Sequence, residues 1–452
     1  MNKRKKKTGR LLLLLCTVLL TACSGSEEEA EVMMEKETEL YTTLELPYDE
    51  PLPEDYCGTL TTWGWDETYF KMMSEAFQEH YPNVEFKFVK IQNKNVVQRY
   101  ETELIMGGEL PDLAWAIVDT RGEAFELDMW EALEQEPYCF QLADVYEYIH
   151  PHMVNANGNV CGIEQSLSPA GLAYRRDLAK KYLGTDEPEE LEKLLPDWET
   201  FMEKGKEVYN KSHGQVCMWA GIGDVRQFLQ EQVALPWVQN QMIDVEAVFG
   251  RTLRLICSFR DEHISDDLVA WTPAWYAALQ ENSHIFLPCA TWSVKSIECN
   301  DLDGRKKGRW GLMGVPEGNV SWGGTAMGIT KMCKDKRLAW EFLKFATLST
   351  EGAEILNSMG LMTAAKRPYE VKPELKSYKS GWFGEQDIGV YYMDKIIPNI
   401  KTRALTAEDG VIFERLGLLS NVLDADRNMT ADEALNTLRS ELRREFPDLT
   451  VQ

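Results

Sequence analysis

Hydrophobic positions in the first part of the chain switch between the spacing of strands and the spacing of helices. Phe70, Met73 and Phe77 recur on one face of a helix, which Pro82 ends. The predicted order is strand, helix, strand, helix, strand, over 57–65, 66–81, 84–88, 97–106 and 113–118. Strands separated by helices at these distances predict a parallel sheet with right-handed crossovers.

The second part of the chain continues with longer helical patterns and one apolar strand. Residues 225–262 are mostly helical in pattern and are interrupted at Pro236, while 284–291 form an apolar run. Near the end, Thr430 and Glu433 have the T-x-x-E spacing of a capping box and precede a helix with one leucine face. The chain is therefore expected to be mixed α/β throughout.

The first 23 residues follow a third pattern. A basic start, Lys3–Lys7, precedes a nearly all-aliphatic run, Leu11–Leu20, which is too short to cross ~30 Å of hydrocarbon. This arrangement predicts a secretion signal over 1–22. Leu20–Cys23 resembles a bacterial lipobox, which implies that Cys23 becomes the lipidated first residue of the mature chain. The alternative is an ordinary signal peptide in which Cys23 is incidental.

Residues 23–56 are rich in glutamate and contain few large apolar side chains. Such a segment buries too little surface to offset its loss of entropy, so we predict an acidic tether there. The long remainder exceeds what one simple core holds, which favours two domains.

The overall composition excludes some partners and leaves the cysteine chemistry open. The formal net charge is −25, and an acidic chain does not suit nucleic acid, whose phosphates require Lys and Arg. The ten cysteines contain no C-x-x-C pair, so a zinc ribbon or thioredoxin motif is unsupported. Outside the cell, disulfides and buried free thiols both remain possible.

Several ordered blocks resemble one protein family. The blocks are Gly58–Trp65, His80–Val84, Met106–Leu113, Leu172–Asp177, Leu195–Phe201, Trp310–Pro316, Gly323–Ile329, Lys334–Phe345 and Thr350–Ala353. Their order resembles that of family 1 extracellular solute-binding proteins, the sugar-binding lipoproteins of ABC importers. Glu164 stands where this family usually has a proline, so the match is weaker at the first crossover, Gly158–Ile163.

The resemblance implies a two-lobed α/β fold like that of periplasmic binding proteins, with hinge crossings and a ligand cleft between the lobes. The expected first lobe comprises 57–160 and 320–365, and the expected second lobe comprises 161–319 and 366–452. Because a ligand would contact both lobes only in the closed form, its binding would favour closure.

The candidate ligand-binding residues suit a sugar, which has an apolar ring face and polar edges. They are Trp63, Trp65, Asp66, Glu67, Asp119, Arg121, Trp292, Trp322, Gly323, Gly324, Trp382 and Asp387. Most follow predicted strands, where α/β folds bind ligands, and Asp119 and Arg121 are expected on a loop. The alternatives are packing for the tryptophans and a solvated ion pair for Asp119 and Arg121. A further set is expected in the core: Trp115, Trp130, Trp198, Trp271, Trp275 and Trp340.

Motifs for catalysis, cofactors and metals are missing from the sequence. No G-x-S-x-G elbow and no phosphate-binding loop occurs, and Gly221–Arg226 lacks the third glycine of a dinucleotide fingerprint. His150 and His152 have no supporting metal-ligand framework. We therefore predict no catalytic residue, no cofactor and no metal, although an acid pair of the glycosidase type is not excluded by residue type.

These patterns and the resemblance together predict a lipid-anchored, monomeric binding protein on the outer face of the cell membrane. It would capture a carbohydrate, expected to be an oligosaccharide, and deliver it to the membrane subunits of an ABC importer. Two alternatives remain open at this point: a receptor of the same fold that presents its ligand to a membrane sensor, and a surface enzyme that acts on glycans.

Overall fold

The computed structural model describes residues 50–452, so the predicted signal peptide, Cys23 and most of the tether lie outside the described residues. The strands are β1 Gly58–Gly64, β2 Val84–Lys90, β3 Leu113–Ile117, β4 Ile163–Glu164, β5 Pro169–Arg175, β6 Met242–Ile243, β7 Phe286–Ala290, β8 Trp310–Met313, β9 Val320–Ser321, β10 Thr325–Ile329 and β11 Thr450–Val451.

The α-helices include both short connecting helices and longer amphipathic ones. They are α1 Glu67–His80, α2 Val96–Met106, α3 Val118–Glu126, α4 Arg176–Tyr182, α5 Pro188–Leu194, α6 Trp198–Lys211, α7 Ile222–Glu231, α8 Val245–Asp261, α9 Pro273–Ala278, α10 Val294–Asn300, α11 Lys336–Leu348, α12 Thr350–Ser358, α13 Arg367–Val371, α14 Ile388–Tyr391, α15 Asp409–Ala425 and α16 Ala431–Glu445. The mixed α/β prediction is confirmed.

The first sheet has five strands in the order β2-β1-β3-β10-β4. β1 pairs in parallel with β2 and β3, as the spacing of the strands predicts. β10 is antiparallel to both β3 and β4, because the chain enters β10 from the other sheet rather than from a helical crossover. We call this sheet and the helices packed on it the first lobe.

Helix α1 shows why the first lobe forms where the sequence predicts it. Asp66 caps the helix, since its Oδ1 accepts a hydrogen bond from the Tyr69 backbone N–H at 3.0 Å. Phe70 and Phe77 are buried and contact the ring of Phe342 in α11 at centroid distances of 5.9 and 5.3 Å. The apolar face of α1 therefore packs against a helix far away in the sequence.

The second sheet is centred on β5, which is antiparallel to β7, β8 and β9. Every residue of β5 is buried, and helices cover this sheet with a large aromatic core. Within that core the ring of Phe201 stacks on those of Trp219 and Phe259 at 5.6 and 6.1 Å. We call this sheet and its helices the second lobe.

The chain passes between the two sheets over short segments. It leaves β4 of the first sheet after residue 164 and joins β5 of the second at 169, and it returns between 321 and 325. A third passage follows α12, because α12 packs on α1 of the first lobe and residues 392–396 pack on β5 of the second. The lobe limits given above stay predictions. The crossings at 164–169 and 321–325 lie a few residues from the predicted limits near 160 and 320.

Two further sequence questions have answers among residues 50–452. Seven cysteines, Cys57, Cys161, Cys217, Cys257, Cys289, Cys299 and Cys333, are free thiols. Within the same range, no helix has both the length and the apolar character needed to cross a membrane.

Candidate functional site

A cavity of about 660 Å³ lies between the two lobes, and we call it the cleft cavity. Its size falls in the range of small-molecule sites. Seven of the candidate residues line it: Trp65, Asp66, Asp119, Trp292, Trp322, Gly323 and Gly324. Its other walls include Asn93, Ile117, Gln165, Ser166, Ser168, Arg226, Gln227, Trp271, Thr325, Leu361 and Phe413. Strand ends of both sheets therefore meet at this cavity.

Trp65 and Asp66 form part of the first-lobe wall. β1 ends at Gly64 and Asp66 caps α1, so Trp65 lies at the junction between strand and helix. Its ring meets that of the buried Trp115 edge-on, with centroids 5.3 Å apart and planes at 90°. One edge of Trp65 is thus fixed by the core, while the half-buried remainder faces the cavity.

Three tryptophans of the second lobe lie against one another at the opposite side of the cavity. Trp292 is 4.8 Å from Trp322 and 6.0 Å from Trp271, and Trp271 is 5.8 Å from Trp322. The Trp292 indole N–H donates a hydrogen bond to the Trp322 carbonyl oxygen at 2.8 Å. We call Trp271, Trp292 and Trp322 the tryptophan wall.

The prediction that Trp271 belongs to a helical core is wrong. It lies in a loop with φ +68°, and its side chain is 43% exposed. Thr272 is the N-cap of α9 and Pro273 is its first residue, so the helix starts just after Trp271. The Thr-Pro pair is a helix-start signal and would have placed Trp271 outside the helix.

Gly323 and Gly324 occupy the return crossing in conformations that favour glycine, with φ +84° and +129°. A Cβ on Gly323 would lie 2.9 Å from the Trp292 indole nitrogen, and one on Gly324 would collide with a Glu164 carboxylate oxygen. The Gly324 carbonyl oxygen accepts a hydrogen bond from the Val118 backbone N–H at 3.0 Å. The absence of side chains lets this segment pass close to both lobes.

Asp119 and Arg226 are two of the three charged groups that line the cleft cavity, the third being Asp66. Burial raises the pKa of the Asp119 carboxyl, although the charges of Arg121 and Arg226 oppose the shift. Burial likewise lowers the pKa of Arg226 to about 10, against the opposing charges of Glu231, Asp119 and Asp224. The polar edge of the cavity therefore holds poorly solvated groups of both signs, which suit a ligand with hydrogen-bond donors and acceptors.

Arg121 is placed differently from its prediction as a loop residue. β3 runs directly into α3, so Asp119 and Arg121 lie on a helix, and Arg121 is fully buried. Its guanidinium donates to a Glu164 carboxylate oxygen at 2.6 Å and to the His152 carbonyl oxygen at 3.2 Å. Arg121 thus lies behind the cavity wall, and its ion pair is a buried one with Glu164, whereas the alternative stated above is a solvated pair with Asp119.

The comparisons with known proteins agree with this geometry. The family model of the bacterial extracellular solute-binding proteins matches residues 72–379, which is more than half of the chain. The chain belongs to this family. None of the curated proteins matches it in sequence.

Solved structures similar to this solute-binding protein share its fold at low sequence identity. An extracellular solute-binding protein of family 1 has a TM-score of 0.77 at 18% identity, covering 85% of this chain and 99% of its own. The galacto-N-biose-/lacto-N-biose I-binding protein of an ABC transporter from Bifidobacterium longum has a TM-score of 0.70 at 18% identity. The match covers 89% of this chain and 100% of that protein. The sugar-binding protein MalE from Xanthomonas citri has a TM-score of 0.69 at 14% identity. The match covers 86% of this chain and 99% of that protein. The two-lobed fold and the family resemblance predicted from the sequence are confirmed.

Five candidate residues of this solute-binding protein do not line the cleft cavity. Trp63 is buried and stacks on Tyr100 at 6.0 Å, and Arg121 lies behind the wall. Glu67 is exposed and pairs with Lys90 at 3.8 Å. These positions follow from strand alternation and helix capping, which direct the side chains to the core or to solvent.

Trp382 and Asp387 have structural partners within the second lobe. The Trp382 indole N–H donates to the Asp301 carbonyl oxygen at 2.6 Å. Asp387 caps α14 and also accepts hydrogen bonds from the Ser377 hydroxyl at 2.5 Å and the Tyr378 backbone N–H at 3.0 Å. Neither side chain belongs to the candidate site.

Metal-ligating residues are not grouped in the part of the chain that the structure describes. No three His, Cys, Asp or Glu side chains of residues 50–452 are placed to hold a metal ion. His152 is buried, and burial together with the charge of Arg121 lowers its pKa to about 3. The candidate site is therefore built from aromatic faces and hydrogen-bonding side chains.

Proposed function

We propose that this chain is the ligand-capturing component of an ABC importer and that it binds an oligosaccharide in the cleft cavity. The observation that carries the proposal is the tryptophan wall facing a cavity edged by Asp66, Asp119 and Arg226. Aromatic faces cover the apolar face of a sugar ring, and charged or amide side chains satisfy its hydroxyls. Two solved structures of the same fold are named for sugar binding, which supports the same ligand class.

The proposed mechanism is lobe closure without chemical conversion. Trp65 and Asp119 belong to the first lobe, whereas Trp271 and Trp292 belong to the second, so a ligand that contacts both walls favours the closed form. The closed protein then presents its ligand to the importer's membrane subunits. We further propose that the chain acts as a monomer and that lipid on Cys23 keeps it at the outer face of the cell membrane.

Isothermal titration calorimetry of the full-length chain, in a detergent without sugar groups, tests the ligand class. The panel contains mono- and oligosaccharides with glucose, galactose and amino-sugar units, together with amino acids and polyamines. We expect binding of one saccharide series, with a smaller radius of gyration in solution scattering and no product by chromatography. Binding of amino acids or polyamines alone would contradict the carbohydrate assignment, and release of shorter sugars would contradict simple capture.

The membrane anchor has a separate test. A Cys23→Ser variant removes the thiol that would carry the lipid, and we expect it to leave the membrane fraction while keeping the same saccharide affinity. Retention of the variant in the membrane fraction would contradict anchoring through Cys23.

A further inference from the structure

A second cavity of about 320 Å³ adjoins the cleft cavity, and we call it the side chamber. The two cavities share Arg226, Gln227, Trp271 and Trp322 as lining residues. Helices α7 and α15 and the loop 268–271 form most of its walls. All three segments pack in the second lobe, although the start of α15 also packs against α3 of the first lobe. No residue of the first lobe lines the side chamber.

Arg226 is a buried donor between the two cavities. It is only 9% exposed, and its guanidinium lies over the Phe413 ring at 5.4 Å. One terminal nitrogen donates to the Gln230 side-chain oxygen, whereas the Nε–H has no hydrogen-bond partner among residues 50–452. A buried donor without a partner is costly, because burial removes its hydrogen bonds to water. Because Arg226 lines both cavities and its guanidinium has more donors than the one bonded to Gln230, it suits a ligand with oxygen acceptors.

Two carboxyl groups that line the side chamber, Asp224 and Asp424, supply acceptors. Asp224 is 3% exposed and accepts a hydrogen bond from the Trp275 indole N–H at 3.1 Å. Asp424 has a buried carboxylate oxygen without a partner. Burial raises the pKa of both carboxyl groups to about 7. Near neutral pH these groups can donate as well as accept, as a sugar hydroxyl requires.

We propose that the side chamber holds a second sugar ring of a ligand whose first ring lies against the tryptophan wall in the cleft cavity. The inference rests on the proposed function and specifies its ligand as a saccharide of at least two units. Trp271 borders both cavities, so the ligand bends around its indole. The loop conformation supports this role, since a tryptophan at φ +68° is strained and persists only where the surrounding structure holds it.

The position of the side chamber also sets an order of binding. Because its walls belong to one lobe, the ring bound there would contact the open protein first. The ring in the cleft cavity would then contact both lobes and favour closure. Saccharide length therefore affects the initial capture as well as the closed state.

Gly417 offers a direct test, because it lines the side chamber and a Cβ there meets nothing closer than the Arg226 guanidinium at 3.9 Å. The Gly417→Leu variant fills the chamber without a backbone collision. The measurement is the affinity ratio between the longest and the shortest binding members of the glucose, galactose and amino-sugar series, with the full-length chain. We expect a ratio of at least ten for the natural chain and a ratio reduced at least fivefold in the variant.

Controls keep this result interpretable. Val422 lies on the same helix and is 49% exposed, so Val422→Phe adds the same four carbons outside the chamber and should leave the ratio unchanged. Gly223→Leu fills the chamber from α7, where a Cβ has open space, and replaces Gly417→Leu if that variant does not fold. An unchanged ratio in a folded chamber variant, or preference for single sugars, overturns the side-chamber proposal alone. Failure of every saccharide to bind overturns the proposed function with it.

Discussion

The Arg121 guanidinium and the Glu164 carboxylate form a buried ion pair with a nitrogen–oxygen distance of 2.6 Å. Their side chains are 0% and 4% exposed. Arg121 belongs to α3 of the first lobe, and Glu164 ends β4 where the chain leaves for the second lobe. The pair therefore fixes one crossing segment directly behind the cleft cavity, next to the backbone of Gly324.

Breaking this pair on one side should destabilise the protein. Glu164→Gln leaves the buried Arg121 charge without a counter-charge, and such changes typically cost about 3–5 kcal/mol. The free energy of unfolding from urea titration measures the effect. A double variant, Arg121→Met with Glu164→Leu, replaces both charges by apolar groups and should recover much of the loss. A Glu164→Gln variant as stable as the natural chain would contradict a structural role for the pair.

Trp271 should contribute to binding at a cost in stability. Trp271→Ala and Trp271→Gly both remove the indole from the tryptophan wall, and we expect each to weaken saccharide binding by about 1–2 kcal/mol, or roughly five- to thirtyfold. Only glycine adopts φ +68° without strain. The free energy of unfolding of Trp271→Gly should therefore exceed that of Trp271→Ala by about 1 kcal/mol. Calorimetric titration and urea unfolding measure the two effects separately. Equal stability of the two variants would contradict the strain, and unchanged affinity would contradict the binding role.

Local patterns predicted the elements of the first lobe because each signal is contained in a few neighbouring residues. Asp66 caps α1 and Gly107 ends α2 at φ +65°, as their residue types indicate. Five of the six tryptophans expected in the core are at most 5% exposed: Trp115, Trp130, Trp198, Trp275 and Trp340. Periodicity also gave the parallel pairing of β1 with β2 and β3.

The remainder of the candidate site depends on contacts between distant parts of the chain, which local patterns do not contain. Arg121 pairs with Glu164, 43 positions away, so nothing beside Arg121 in sequence indicates its burial. Arg226 and Asp224 have an ordinary amphipathic helix around them, and their place beside the cleft follows from the packing of α7 against α15. The antiparallel entry of β10 likewise follows from the return crossing.

Any side chain at position 324 in the return crossing should destabilise the protein. Gly324→Ala combines the strain of φ +129° with a collision against the Glu164 carboxylate, so we expect a loss of about 2–3 kcal/mol in the free energy of unfolding. Gly158→Ala is the matched control, because Gly158 has φ +83° but its Cβ would meet nothing within 4 Å. That variant should lose about 1 kcal/mol from strain alone. Equal losses at both positions would show that the contact with Glu164 is unimportant.

Asp224 should make the protein less stable as the pH rises from about 4 to about 7. Burial raises its folded pKa to about 7 from an ordinary value near 3.8, although the Trp275 hydrogen bond opposes the shift. Between these two values the folded state binds more protons than the unfolded state, so stability falls as the pH increases, by at most about 1.4 kcal/mol per pH unit. Asp224→Asn removes this group while keeping an acceptor for Trp275. The variant should match the natural chain near pH 4 and exceed its melting temperature increasingly from pH 5 to pH 8.

Asp387 provides a control of opposite sign for the same measurement. Burial opposes the change, but hydrogen bonds from Ser377 and from the Val390 and Tyr378 backbone hold the Asp387 pKa below its ordinary value. Its stabilisation is present at neutral pH and is lost only in acid, so Asp387→Asn should lower the melting temperature at pH 7. If Asp224→Asn also lowered it at pH 8, the Asp224 carboxylate would serve the fold. The Asp224→Asn variant could instead be more stable and bind saccharide less tightly. That result would show that the Asp224 carboxylate destabilises the fold but contributes to ligand binding.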